Sequence, residues 1–153
     1  FIHEIDYVNF LFGIPKSIRC ISGKKSNLEI DVEDYAKIYS NHHLDKHKFR
    51  VKINLDFIRK KEKRKCNIIF QYGQINWDLK TDELKIKKKG KILEKHVNKV
   101  SRNLLFKKQL EFFNKSIKLK SNPISNLDNG ILSLKIVMIA KKSSKINQQI
   151  QVN

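Results

Sequence analysis

The chain is expected to fold as an α+β domain, an open, mostly antiparallel β-sheet with helices packed on one face. Three observations predict it. Phe49, Val51, Ile53, Leu55 and Phe57 alternate with Lys48, Arg50, Lys52, Asn54 and Asp56, which puts five apolar side chains on one face of a strand. Further short alternating runs lie on either side of it. Helical periodicity is confined to one segment before the strands and two after them.

The elements follow in chain order. His3 to Phe12 reads as a short helix, with Ile5, Val8, Leu11 and Phe12 at helical spacing and Gly13 and Pro15 ending it. Lys16 to Ser22 reads as a strand with Ile18 and Cys20 on one face, and Gly23 to Asn27 as a loop. Ile30 to Ser40 is a second strand, and Asn41 to Lys46 a polar turn. The alternating strand comes next. Its register is well fixed, because a slip of one residue would expose every apolar side chain. Arg59 to Lys65 is a solvated charge run. Cys66 to Gln71 is a strand, Tyr72-Gly73-Gln74 a turn, and Ile75, Trp77 and Leu79 alternate in the strand after it. Leu84 and Ile86 suggest a short edge strand, guarded by Lys85 and Lys87 to Lys89. A helix is expected from about Val97 to Lys118, with Phe106, Leu110, Phe113 and Ile117 as its stripe, and Asn122-Pro123 breaks it. The last helix runs from about Leu127 to Ser144, capped by Ser125 or Asn126. It is apolar nearly all round and is expected to be buried against the sheet.

Composition bounds the function. At 153 residues the chain suits one domain, assigned to residues 1–150. No apolar run approaches the roughly 18–20 residues of a membrane span, and no signal-peptide pattern opens the chain, so a cytoplasmic location is expected. Two cysteines, Cys20 and Cys66, are too few for a disulfide framework or a zinc site. They read as small core residues on neighbouring strands. The net charge is +18, but Lys outnumbers Arg 28 to 5, and Lys, Asn and Ile supply 63 of the residues. All three have A/T-rich codons, so a low-GC gene is a sufficient cause. A selected nucleic-acid site should favour Arg, whose planar fork pairs with phosphate and guanine. Nucleic acid is therefore expected to bind only non-specifically, through salt-sensitive charge attraction.

Few residues suggest chemistry. The five glycines form neither G-x-G-x-x-G nor a Walker-type loop, so no cofactor is expected to be bound by this chain alone. His42, His43, His47 and Asp45 cluster in sequence, but a polar loop is the simpler reading, and no metal site is assigned. Trp77, Phe49, Phe57 and Phe70 could form a base-stacking platform, but Phe49 and Phe57 share a face with Val51, Ile53 and Leu55, which favours core. His3 stands out. It opens a helix beside Glu4 and three residues before Asp6, at the positive end of the helix dipole, which favours an uncharged imidazole base.

His3-Glu4-Ile5-Asp6-Tyr7-Val8-Asn9-Phe10-Leu11-Phe12-Gly13 resembles the H-x-x-D-x-x-x-x-L-x-G helix that opens the C-terminal domain of Gfo/Idh/MocA-type oxidoreductases. Leu28 to Ala36 is similar to the acidic D-x-E-D-x-A segment of that family, and Gly73 to Asp78 to its G-x-I-x-W-D strand. Further similarity runs through Asn54 to Arg59 and Cys66 to Phe70. Asn126 to Gly130 with Ala140 to Ser144 is similar to its L-x-D-G…A-x-x-S terminal helix. The nearest branch is that found beside surface-sugar biosynthesis genes. The resemblance implies a substrate-binding and oligomerisation domain of an NAD(P)-dependent sugar or sugar-nucleotide oxidoreductase. His3 is implied as the catalytic acid/base, and Asp6 and Arg59 as substrate-binding residues. It implies a separate Rossmann domain that holds NAD or NADP, and self-association through the open sheet face. The chain starts without Met and within a structured element, so something is expected to have been removed upstream; the Rossmann domain that the resemblance implies is absent from this chain, and the isolated chain is expected not to be catalytic. The competing expectations are a free-standing basic module that contacts nucleic acid or another polyanion, and a purely structural dimerisation domain.

Overall fold

The computed structural model describes residues 2–98 and 100–152. Among the described residues three helices and eight strands make the chain α+β, as expected, but the strands form two antiparallel sheets in place of the single sheet expected, and a short strand follows the last helix. They form two compact units, one from residues 1–59 and 124–153, the other from residues 60–123.

The first unit opens with α1 (Ile2–Phe12) and continues through β1 (Ser17–Gly23), β2 (Tyr35–Leu44) and β3 (His47–Asp56). It is completed by α3 (Leu127–Ile146) and the short β8 (Ile150–Gln151). The sheet order is β3-β2-β1-β8, antiparallel throughout. Ile18, Cys20, Ala36, Ile38 and Ile53 point to one face and are buried there with Ile5 and Val8 of α1 and Ile136 and Ala140 of α3. The opposite face carries Arg19, Tyr39 and Lys52 as one cross-strand row.

Ala140 and Ser143 explain the A-x-x-S resemblance in physical terms. Beyond Ile18, β1 has no strand on its β8 side, which leaves backbone N–H groups to satisfy. Ser143 Oγ accepts from the Cys20 N–H at 3.0 Å and Ser144 Oγ from the Ser22 N–H at 2.9 Å. Ser143 also donates to the Gln148 carbonyl at 2.5 Å, and Asn147 closes the helix in the left-handed conformation at φ 56°. The fully buried Asp34 braces the β1–β2 loop. Its carboxylate accepts from the Lys25 N–H at 2.7 Å, and from the Ser26 N–H at 2.6 Å and hydroxyl at 2.5 Å. Burial opposes its charge, but these donors outweigh burial and hold the carboxyl below the ordinary range.

The second unit is a four-stranded meander, β4 (Lys65–Phe70), β5 (Gly73–Asp78), β6 (Glu83–Lys88) and β7 (Lys91–Val97), followed by α2 (Arg102–Lys118). Cys66, Ile68, Ile75, Trp77, Leu84 and Ile86 share one face by alternation and register. Among the described residues of this unit only Ser116 is buried. A Cβ on Gly73 would lie 2.5 Å from the Lys87 carbonyl oxygen, so the first residue of β5 has to be glycine.

Several boundaries differ from expectation. The second strand starts at Tyr35, not Ile30, because residues 28–34 are drawn into the loop around Asp34. It runs on to Leu44, and the turn shrinks to Asp45-Lys46, with Asp45 at φ 52°. Gly73 opens a strand and lies outside the turn. β6 is an inner strand, because β7 forms the edge beyond it. The Lys89-Gly90 turn, at φ 49° and 78°, marks that hairpin, but Ile92 and Leu93 are adjacent and give no alternating signal. α2 begins at Arg102 with Ser101 as its cap, because residues up to Val97 are strand. Cys20 and Cys66 stand in different sheets, not on neighbouring strands. Phe57 lies past the end of β3 and is exposed. Only one seam of α3 is buried, at Ser133, Ile136, Ala140 and Ser143, while Ile131, Leu134 and Met138 are exposed.

Candidate functional site

The candidate site is built on α1. Ile5 and Val8 face the core and Phe12 packs against it, which turns His3, Asp6 and Phe10 to another side of the helix. His3 is exposed in the first turn. Asp6, one turn on, accepts from Ser133 Oγ of α3 at 2.8 Å. That bond fixes the carboxylate against the neighbouring helix.

The C-terminal end of α1 is held by His42, a fully buried side chain of β2. The Phe12 carbonyl, 3.3 Å from Nδ1, can only accept, so Nδ1 carries the proton. Nε2 then accepts from the Ser40 hydroxyl at 2.9 Å. The ring stacks on Phe49 with centroids 5.6 Å apart, and Phe12 meets Phe49 edge-on at 5.5 Å. Burial pushes the imidazole below its ordinary value, partly offset by the Phe12 backbone. His42 is thus a structural pin, placed in a strand and not in the expected polar turn. His43, the next residue, points to the opposite face and is exposed. Among the described residues, no three His, Cys, Asp or Glu side chains converge as metal ligands.

Beside Asp6 lies a cleft of about 230 Å³ between α1 and the start of α3. Asp6, Asn9, Phe10 and Tyr7 line it from α1, and Ser133, Leu132 and Asn129 from α3, with Ile124 and Ser125 at the rim. The rim is braced locally. Asn126 Oδ1 accepts from the Asn129 N–H at 3.0 Å, and Asn129 Nδ2 donates to the Ile124 carbonyl at 2.6 Å. Asn9 Nδ2 is buried without a hydrogen-bond partner.

Arg59 is elsewhere. Beyond β3 it donates to Asp56 at 3.3 Å and lines a second cleft with Lys25, Tyr35, Lys37 and Asn54. His3 and Asp6 are brought together on one helix, and Arg59 does not join Asp6 in its cleft. Sequence reasoning missed Asn9 and Ser133. Asn9 lies three residues after Asp6, so helical spacing places them side by side. Nothing in the sequence signals Ser133, whose role depends on how α3 crosses α1.

No helix among the described residues is long and apolar enough to cross a membrane. No protein-family model matches the sequence, and no curated protein does either. Solved structures do match. An aldose-aldose oxidoreductase from Caulobacter crescentus, in complex with glycerol, aligns at a TM-score of 0.81 and 14% identity over 99% of this chain and 45% of its own. An oxidoreductase from Agrobacterium radiobacter, in complex with NAD+, L-tartaric acid and magnesium, aligns at 0.76 and 15% identity over 98% of this chain and 47% of its own. A UDP-N-acetylglucosamine 3-dehydrogenase from Acidithiobacillus ferrooxidans aligns at 0.73 and 14% identity over 95% of this chain and 45% of its own. The chain therefore spans slightly less than half the length of these enzymes. Identities this low speak for the fold alone, and that fold is the C-terminal domain of the Gfo/Idh/MocA-type oxidoreductases.

Proposed function

We propose that the chain is the substrate-binding and oligomerisation domain of an NAD(P)-dependent sugar or sugar-nucleotide oxidoreductase, inactive by itself. One observation carries the reading. On a fold shared with oxidoreductases named for aldoses and UDP-N-acetylglucosamine, α1 presents an exposed His3 one turn from Asp6, and Asp6 lines a cleft. An exposed imidazole at a helix start is accessible to a substrate hydroxyl and can take up or return its proton. Asp6, fixed by Ser133, is an acceptor for a second hydroxyl. Arg59, which lines a separate cleft, is assigned to substrate binding through the resemblance alone.

The chain's own residues do not fit the dinucleotide. Its glycines stand singly at 13, 23, 73, 90 and 130, and none opens a helix as a phosphate cradle. NAD or NADP, which exchanges a hydride with the substrate carbon, is accordingly assigned to a separate Rossmann domain. The test is NADH-dependent turnover of sugars and sugar nucleotides, by the pure chain and by the chain joined to such a domain. Turnover by the joined form alone is expected. Turnover by the pure chain, or by neither form, contradicts the reading.

The open face of the first sheet is proposed as the self-association surface. It carries Arg19, Lys37, Arg50 and Lys52. The same cations favour a second reading, a basic module for polyanions. Salt separates the two. Screening relieves like-charge repulsion between copies and strengthens self-association, whereas nucleic-acid binding weakens steeply as salt rises. Nucleic-acid affinity that persists at physiological salt would favour the second reading.

A further inference from the structure

We infer that β4 is a docking edge for a second copy of this chain, which adds its own β4 antiparallel across a two-fold axis centred on Ile68. Pairing joins two copies of the second unit's four-stranded sheet edge to edge. This edge is separate from the open face of the first sheet, and its pairing does not depend on the proposed function.

A strand at a sheet edge presents unpaired N–H and C=O groups, and folded chains guard such edges with charge, short strands or a covering element. Among the described residues β3, β8, β4 and β7 stand at sheet edges. β8 is only two residues long. β3 carries Lys48, Arg50 and Lys52, and β7 carries Lys91, Glu94 and Lys95. β4 carries only Lys65, at its start. The rest of it, Cys66-Asn67-Ile68-Ile69-Phe70, is uncharged, free of Pro and Gly, and rich in strand-forming residues. Ile69 is 79% exposed and Phe70 55%.

The ladder to β5 sets the geometry of the outer side. The Leu79 N–H donates to the Arg64 carbonyl at 2.9 Å, next to the Lys65–Asp78 pair. Alternation from there turns the backbone groups of Cys66, Ile68 and Phe70 toward β5, and those of Lys65, Asn67 and Ile69 outward. A two-fold axis at Ile68 sets Asn67 against Ile69 as reciprocal hydrogen-bonded pairs and Cys66 against Phe70 on the apolar face. It uses the whole uncharged run and keeps the two Lys65 side chains at opposite ends. In a chain of net charge +18, a second copy therefore meets no facing lysine along this edge. Pairing consumes the edge in both copies, and the charged β7 bounds the joined sheet on each side, so the assembly closes as a dimer. A single strand pair is small against the roughly 800 Å² per partner of a stable interface, so the dimer is expected to be weak and reversible.

The experiment is sedimentation equilibrium of the full chain from micromolar to millimolar concentration. A reversible rise toward twice the 18.1 kDa of one chain is expected. Ile69→Pro removes an outward N–H and no β4–β5 bond, at a position where an edge strand tolerates proline. Ile69→Lys adds the missing guard. Each is expected to weaken dimerisation at least tenfold, with the melting temperature held within a few degrees. Cross-linking checks the register. Ile68 faces its own copy at a non-hydrogen-bonded position, where Cα atoms approach to about 4.5 Å, within disulfide reach. Under a mild oxidant, Ile68→Cys in a Cys66→Ser background is expected to form a covalent dimer. Ile92→Cys on β7, in the same background, is expected to link at least tenfold more slowly. A chain that stays monomeric throughout, or equal linking at positions 68 and 92, would overturn the inference. Self-association unchanged in both Ile69 variants would also overturn it, by assigning the contact to another surface, and would leave the proposed function standing.

Discussion

The two units use the same antiparallel strand grammar and reach different ends. In the first, α1 and α3 lie on the apolar face of the sheet, and every buried hydrophobic side chain among the described residues belongs to it. In the second, Ile68, Ile75, Trp77, Leu84 and Ile86 share a face of equal apolar character, yet none is buried. α2 carries Leu105, Phe106, Leu110, Phe113 and Ile117, all exposed. Alternation therefore places side chains on a face, but burial depends on whether a helix crosses it. The candidate site follows the same division, because α1 buries one side and lines the cleft with another, and Ser133 joins the cleft to the buried seam of α3.

The contrast breaks most sharply in the core. Ile18 is fully buried in the first sheet, whereas Ile75 is half-buried in the second. Ile18→Ala is expected to cost about 2–5 kcal/mol and Ile75→Ala less than about 1.5 kcal/mol, read from urea unfolding midpoints. Equal losses would mean that the second sheet holds a core of its own. Ser143→Ala comes next. It leaves the buried Cys20 N–H without its acceptor, for a loss of about 1–3 kcal/mol. Loss confined to the last turn of α3 in hydrogen exchange would show that β1 does not depend on that serine.

A smaller effect is pH-dependent and belongs to the first unit. His42 and Asp34 both have folded-state values below their ordinary ones, 6.5 and 3.8. The unfolded chain then binds more protons over both ranges, so stability falls as pH drops. The first loss begins below about pH 6.5 and continues toward the lower folded value of His42. The second begins below about pH 4 and continues through the folded value of Asp34. Urea melts from pH 8 to 3 should show both steps, and His42→Gln should remove the upper one. A flat profile between pH 7 and 5 in the parent chain would contradict the burial of a neutral imidazole.

The readable parts were those set by local chemistry. Gly13 and Pro15 stop α1, the five-residue alternation fixes the face of β3, and Asn126 caps α3. What stayed hidden depends on distant partners. Asp34 reads as one acid among several, and only the fold shows it gathering the β1–β2 loop. His42 reads as turn chemistry, because the Phe12 carbonyl that holds it is thirty positions away. α3 reads as apolar all round, and nothing local says which seam is covered. Within the candidate site, His3 and Asp6 stand out in the sequence through the resemblance and their spacing, whereas the Ser133 bond to Asp6 depends on the crossing of α1 and α3.

The functional account turns on the imidazole that opens α1. In a chain joined to a nucleotide-binding domain and shown to turn over a sugar substrate, His3→Ala should lower kcat by roughly 10²- to 10⁴-fold. The exposed position of His3 predicts no accompanying change in melting temperature. Turnover that survives the substitution undiminished would contradict the assignment of proton transfer to this helix.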